Sequence, residues 1–216
     1  LHNNRIQQGI ALKIIAVIGQ KGGSGKTTTA LGLAVESVRR GFTVAVIDLD
    51  PQATATYWSD RRELKDAPAV VSCQVMRLRQ VLDSAQAQGI QHVIIDTAGK
   101  STDAAIAAAK AAHKVLIPIQ PQLFDIETLY NVKEILTLAG HPQAVVVINR
   151  AASLGKRHEE TQEAVTSMGF TVSPVILYQR AAHGDAGNIG LTAIEYEPKG
   201  KAAQEIAALY DYINIE

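Results

Sequence analysis

The chain has 216 residues, with 21 Lys+Arg against 21 Asp+Glu, a formal net charge of zero and 47% apolar residues. That length and apolar content suit a single domain with a full core and exclude a disordered chain. One cysteine, Cys73, excludes an intrachain disulfide framework and an all-cysteine metal site, and the neutral balance removes any global attraction to nucleic acid.

Leu1–Gln8 is polar and carries no apolar signal segment, and no run approaches the roughly 18 apolar residues of a membrane span. Residues 1–12 are read as an N-terminal extension expected to be poorly ordered, and 1–216 as one domain. Lys13–Gly19, Thr43–Asp48, His92–Asp96, Lys114–Ile119 and Ala144–Asn149 are rich in Val and Ile at consecutive positions. Such runs predict strands buried on both faces, as in a parallel sheet. Val70–Val75 is a further candidate strand. Helices are predicted over Thr27–Arg40, Arg77–Gln88, Thr102–Ala112, Asp125–Ala139 and Pro198–Ile213. Asp125 is read as a capping residue and Pro198 as a first helical position; Tyr178–Lys199 reads as loop. Strands alternating with helices predict an α/β fold, an open, mostly parallel sheet with helices on both faces.

After the first strand comes Gly19-Gln20-Lys21-Gly22-Gly23-Ser24-Gly25-Lys26-Thr27-Thr28. Glycines between a strand and a helix let successive backbone N–H groups converge on a phosphate, and the helix dipole adds to the attraction. Lys26 is placed to reach the β- and γ-phosphates and Thr27 to ligate Mg²⁺. Gln20 stands where the standard phosphate-loop pattern has its first glycine. The second strand ends Asp48-Leu49-Asp50-Pro51-Gln52, which puts two carboxylates in the crevice where such sheets bind ligands. The third ends Ile94-Ile95-Asp96-Thr97-Ala98-Gly99, an apolar strand closing on a carboxylate suited to Mg²⁺.

The string K-G-G-x-G-K-T resembles the deviant Walker A motif of the ParA/MinD superfamily of P-loop ATPases, and the resemblance runs from about Lys13 to Ile213. It implies a P-loop fold and a slow ATP hydrolase using ATP and Mg²⁺. Gly22, Gly23, Ser24, Gly25, Lys26, Thr27 and Thr28 would cradle the nucleotide, and Asn149 would meet the adenine, with Pro174–Tyr178 completing the base pocket. Lys21, Lys26 and Asp50 would be the catalytic groups. Asp50 would orient the attacking water, and Lys21 would reach across a nucleotide-sandwich homodimer. Thr27, Asp50 and Asp96 would face the metal, Asp48 would be structural or behind the metal ligands, and Thr97–Gly99 would sense the γ-phosphate.

The chain is similar above all to small ParA-type partition ATPases, because only about twelve residues precede the first strand and Tyr196–Ala203 is similar to that branch. The resemblance implies an ATP-bound dimer that binds DNA without sequence preference, and a separately encoded ParB-like or cargo-adaptor protein that stimulates hydrolysis. It also implies a cytoplasmic, nucleoid-associated location for partition or cargo positioning. Arg180 matches a DNA-contacting arginine of the family; Arg150, Lys156, Arg157, Lys199 and Lys201 are further candidates. A MinD-like membrane-cycling ATPase needs a basic amphipathic end, whereas Ala207–Glu216 is acidic. A metal-cluster carrier needs cysteines that the strand ends lack. A small-molecule kinase or amidoligase stays open, and would need a further substrate pocket.

Overall fold

A computed structural model describes residues 12–64 and 68–213, so all but Leu12 of the expected N-terminal extension lies outside the described residues. The strands are β1 (Lys13–Val17), β2 (Val44–Asp48), β3 (Ala69–Ser72), β4 (His92–Asp96), β5 (Lys114–Ile119) and β6 (Ala144–Ile148). They form one parallel sheet in the order β3-β2-β4-β1-β5-β6. The helices are α1 (Lys26–Arg39), α2 (Thr54–Arg61), α3 (Leu78–Ala87), α4 (Thr102–Ala111), α5 (Leu123–Glu127), α6 (Leu129–Leu138), α7 (Arg157–Ser167), α8 (Ala181–Asn188), α9 (Ala193–Tyr196) and α10 (Lys201–Ile213).

Period-two alternation explains the unbroken apolar runs. Ile14, Ala16 and Ile18 pack into a core shared with α3, α4 and α6. Ile15 and Val17 point the other way, into a core shared with α1 and α10. Both faces are covered, so neither set of positions can be polar. The apolar side of α10, Ile206, Leu209, Tyr210 and Ile213, is consumed in this second core.

Several expectations need correction. The helix expected over Asp125–Ala139 is two, α5 and α6, broken at Thr128, whose backbone N–H and hydroxyl both donate to the Asp125 carbonyl, at 3.1 and 2.6 Å. Asp125 is no cap: it lies inside α5 with its side chain buried. Pro198 does not begin α10; the Gly200 amide bonds the Glu197 carbonyl in a turn, and the helix starts at Lys201. The stretch read as loop, Tyr178–Lys199, contains α8 and α9, and α2 and α7 were not anticipated. The last of these buries only Thr161 and Val165, too few apolar positions to show a period.

Candidate nucleotide site

Strand register assembles the site. Val17 on β1 lies opposite Asp96 on β4, which lies opposite Asp48 on β2. Both strand-end carboxylates therefore stand level with the point where the chain leaves β1 for the glycine-rich loop. This is the carboxyl edge of the sheet, where the chain departs in opposite directions on either side of β1, the standard ligand crevice of open α/β sheets.

The loop ends at Gly25, whose φ of 88° is left-handed. A Cβ there would also fall 2.1 Å from Asn149 Nδ2, so only glycine fits. No side chain caps the first turn of α1, which leaves its N–H groups available to an anion. Three loop carbonyls are held by side chains. Lys26 Nζ donates to the Lys21 carbonyl at 2.8 Å. Gln120 Nε2 and Arg150 Nη1 donate to Gly23 at 2.9 and 3.0 Å, and Asn149 Nδ2 to Ser24 at 2.8 Å. A trans peptide points its N–H opposite to its C=O, so the Ser24 and Gly25 amides face away from these donors. Lys26 is buried, which pushes its ammonium pKa down against the opposing pull of Asp96, Asp50 and Asp125.

The carboxylates divide into different environments. Asp48 is fully buried and satisfied: it accepts the Asp50 amide at 3.0 Å and the Thr56 amide and hydroxyl at 3.0 and 3.1 Å. It therefore shapes the Asp50 turn and the start of α2. Asp50 is half-buried, accepts the Gln52 amide at 2.9 Å, and lines the pocket. Asp96 is fully buried, and neither of its oxygens has a well-formed hydrogen bond. Burial pushes its pKa up to about 7, with the nearby Thr27 hydroxyl opposing. An orphaned carboxylate beside a threonine hydroxyl is a donor set that fits Mg²⁺, which takes one or two protein oxygens and fills its shell with phosphate and water. Among the described residues no three His, Cys, Asp or Glu side chains cluster to hold a metal. The Thr97–Gly99 segment lies against β1 and the loop: Thr97 Oγ1 donates to the Val17 carbonyl at 3.0 Å, and a Cβ on Gly99 would lie 2.8 Å from Lys21 and Gly22 backbone atoms.

The loop, the Asp50 turn and the Ala98–Lys100 segment line a cavity of about 730 Å³, within the size range of cofactor sites, which Tyr178, Arg180 and His183 also line. Gly22, Gly23, Gly25, Lys26, Thr27, Thr28, Asp50 and Asn149 all line it, whereas Lys21 does not and the buried Ser24 and Asp96 lie behind its wall. Asn149 is spent partly on the fold, since its Oδ1 accepts the Arg150 amide at 2.8 Å while its Nδ2 holds Ser24. Arg180 does not project freely. It pairs with Glu205 at 2.7 Å and stacks on Tyr178, 5.1 Å from the ring centroid. Lys156 and Arg157 are exposed before and at the start of α7, and Lys199 and Lys201 before and at the start of α10. A larger groove of about 1150 Å³ shares Asp50 but otherwise runs along β2, β3 and α3, away from the phosphate loop. Sequence reasoning missed Gln120, Glu205 and the buried role of Asp125; the last was visible as an acid just past a strand end but was read as a helix cap.

Strand, glycine loop, helix and two strand-end carboxylates at one crevice define a P-loop nucleotide-binding protein. Residues 15–187 match the CobQ/CobB/MinD/ParA nucleotide binding domain, and the chain belongs to that family, as a ParA-type ATPase. It is 29% identical over 201 residues to maintenance of carboxysome distribution protein A of Gloeobacter kilaueensis, covering 92% of this chain and 90% of that one. Protein IncC of Escherichia coli is 28% identical over 258 aligned positions, covering 94% and 69%. Among solved structures, the septum site-determining protein MinD of Pyrococcus horikoshii, complexed with Mg-ADP, superposes with a TM-score of 0.73 at 18% identity, covering 94% and 96%. Among the described residues no helix is long and apolar enough to cross a membrane.

Proposed function

We propose that this chain is an ATP-driven switch whose ATP-bound homodimer binds DNA non-specifically and uses slow, partner-stimulated hydrolysis for partition or cargo positioning. The observation that carries the nucleotide half is the orphaned Asp96 carboxylate beside Thr27, directly under the phosphate loop. Mg²⁺, when bound with ATP, would neutralise phosphoryl charge there. The Ser24 and Gly25 amides and the α1 N-terminus bind the phosphates. Lys26 swings from the Lys21 carbonyl to the β- and γ-oxygens. Asp50, at the pocket wall, orients the attacking water, and Lys26 and Lys21 offset the charge that develops. Asn149 keeps the loop in shape and borders the adenine. The near full-length match to a protein named for carboxysome distribution favours positioning of a cargo through a separately encoded adaptor.

DNA contact falls to the exposed Lys156, Arg157, Lys199 and Lys201, with Arg150 and Arg180 nearer the nucleotide. Binding through such groups is to phosphates and needs no base reading. This would keep the protein on the nucleoid. A membrane role has little to use, because the apolar side of α10 is already buried. The test is binding to non-specific duplex DNA with ATP, with ADP and without nucleotide, across a salt series. Binding by the ATP form alone, weakening steeply with salt, is expected; absence of binding in every state removes DNA from the reading and returns a small-molecule substrate to consideration.

A further inference from the structure

Lys21 begins the phosphate loop, yet its ammonium is not turned into the nucleotide cavity. It forms an ion pair with Asp125, inside α5. Asp125 is fully buried, while the Lys21 side chain is 34% exposed. The other Asp125 oxygen accepts the Gln120 amide at 3.1 Å, and the Asp125 carbonyl takes both Thr128 donors at the break between α5 and α6. Gln120 in turn reaches back to the Gly23 carbonyl with its side chain. One buried residue thus ties Lys21 of the loop and the end of β5, through its carboxylate, to the α5 turn, through its carbonyl.

We propose that the Lys21–Asp125 pair is an intramolecular latch, in which Asp125 holds the loop lysine out of the nucleotide cavity until a triphosphate draws it away and loosens α5. The proposal rests on the nucleotide reading above. Its logic is electrostatic. A buried carboxylate is strongly disfavoured without its cation, so Lys21 leaves only for an anion that competes with Asp125. A triphosphate places more charge at the loop than a diphosphate does. Breaking the latch therefore costs affinity only for a nucleotide that engages Lys21, so the cost falls on ATP, while ADP leaves the ion pair in place.

Two measurements test it on the intact chain. The first is hydrogen exchange of the wild-type protein with Mg·ATP, Mg·ADP and no nucleotide. Protection of residues 20–28 with faster exchange at 121–128, under ATP only, is expected. Protection of 20–28 with no ATP-specific change at 121–128 overturns the latch and leaves the nucleotide site standing. No protection of 20–28 by either nucleotide refutes the nucleotide reading and the latch with it. The second is nucleotide affinity of Asp125→Asn. The neutral amide cannot hold the lysine, so ATP should bind about 5–150-fold tighter, an ordinary range for coupled equilibria, with a smaller change for ADP. A purely structural Asp125 would shift both affinities alike or neither, and that result also overturns the proposal.

Discussion

Asp96→Asn offers a measurement in which the site and the fold make opposite demands. The wild-type carboxyl is buried with neither oxygen in a well-formed hydrogen bond, and its pKa is raised from an ordinary 3.8 to about 7. A raised carboxyl pKa means that the folded state holds the proton more tightly than the unfolded state. The stability from that proton is fully present below about pH 3.8 and is lost progressively up to about pH 7. At roughly 1.36 kcal/mol per pH unit, the full loss is about 4 kcal/mol, and the part between pH 5.5 and 7 is about 2 kcal/mol. Asparagine does not titrate, so subtracting the variant from the wild type leaves the contribution of Asp96 and its coupling to Lys26, Asp48 and Asp50. Urea unfolding of both proteins without nucleotide, at pH 5.5 and pH 8, should show the stability difference moving by about 2 kcal/mol in favour of the variant at the higher pH. The absolute gain is smaller, because the amide keeps unmet hydrogen bonds of its own. Equal differences at the two pH values would refute the assignment of Asp96 as a buried, unsatisfied carboxyl. The same residue links Mg²⁺ to pH: the ion must displace a proton, so Mg·ATP affinity should fall as pH drops below about 7 in the wild type.

Other predictions address separate parts of the site. Lys26→Ala removes the ammonium that faces the phosphates and should lower Mg·ATP affinity by at least about tenfold, measured with a fluorescent ATP analogue; unchanged affinity and turnover would remove Lys26 from the site. Asp50→Ala should bind ATP with near wild-type affinity and lose turnover by about 100-fold or more, because a water-orienting group acts only in the chemical step; normal turnover would clear Asp50 of that role. Gly25→Ala should destabilise the fold by several kcal/mol, since the residue at φ 88° would gain a Cβ 2.1 Å from Asn149; a melting temperature within a degree of wild type would refute the loop geometry.

The sheet was legible in the sequence because its strands are buried on both faces, which leaves an unmistakable run of Val and Ile such as Ala144–Ile148. The phosphate loop and the strand-end aspartates were legible because their chemistry demands fixed residue types at fixed places. What escaped was structure held by tertiary partners. The 181–196 stretch is short of large apolar residues, and α8 and α9 are positioned by contacts no local pattern records. Trp58 Nε1 donates to the Leu191 carbonyl at 2.9 Å, Arg62 bonds the Gly190 carbonyl at 3.0 Å, and Glu195 completes a capping box with Thr192. Arg180 had a visible charge but an invisible partner, since Glu205 is 25 residues away in sequence. Asp125 was misread for the same reason: its partner is 104 residues upstream.

Those hidden partners share one consequence. Gly23 and Ser24 have carbonyls held by Gln120, Arg150 and Asn149, at the ends of β5 and β6. Lys21 and Lys26 meanwhile lie against Asp125 and a loop carbonyl. The backbone donors are thus preorganised for phosphate while both cations are parked on protein acceptors. Under the proposed function, binding would consist mainly of re-aiming two lysines rather than rebuilding a loop, which would keep the entropic cost of ordering small. It also makes the occupied and free forms differ chiefly in where positive charge sits. The switch proposed above needs such a difference. The groups placed to carry it are Asp125 at the α5 turn, Gly99 against the loop, and Asp48, which fixes the start of α2.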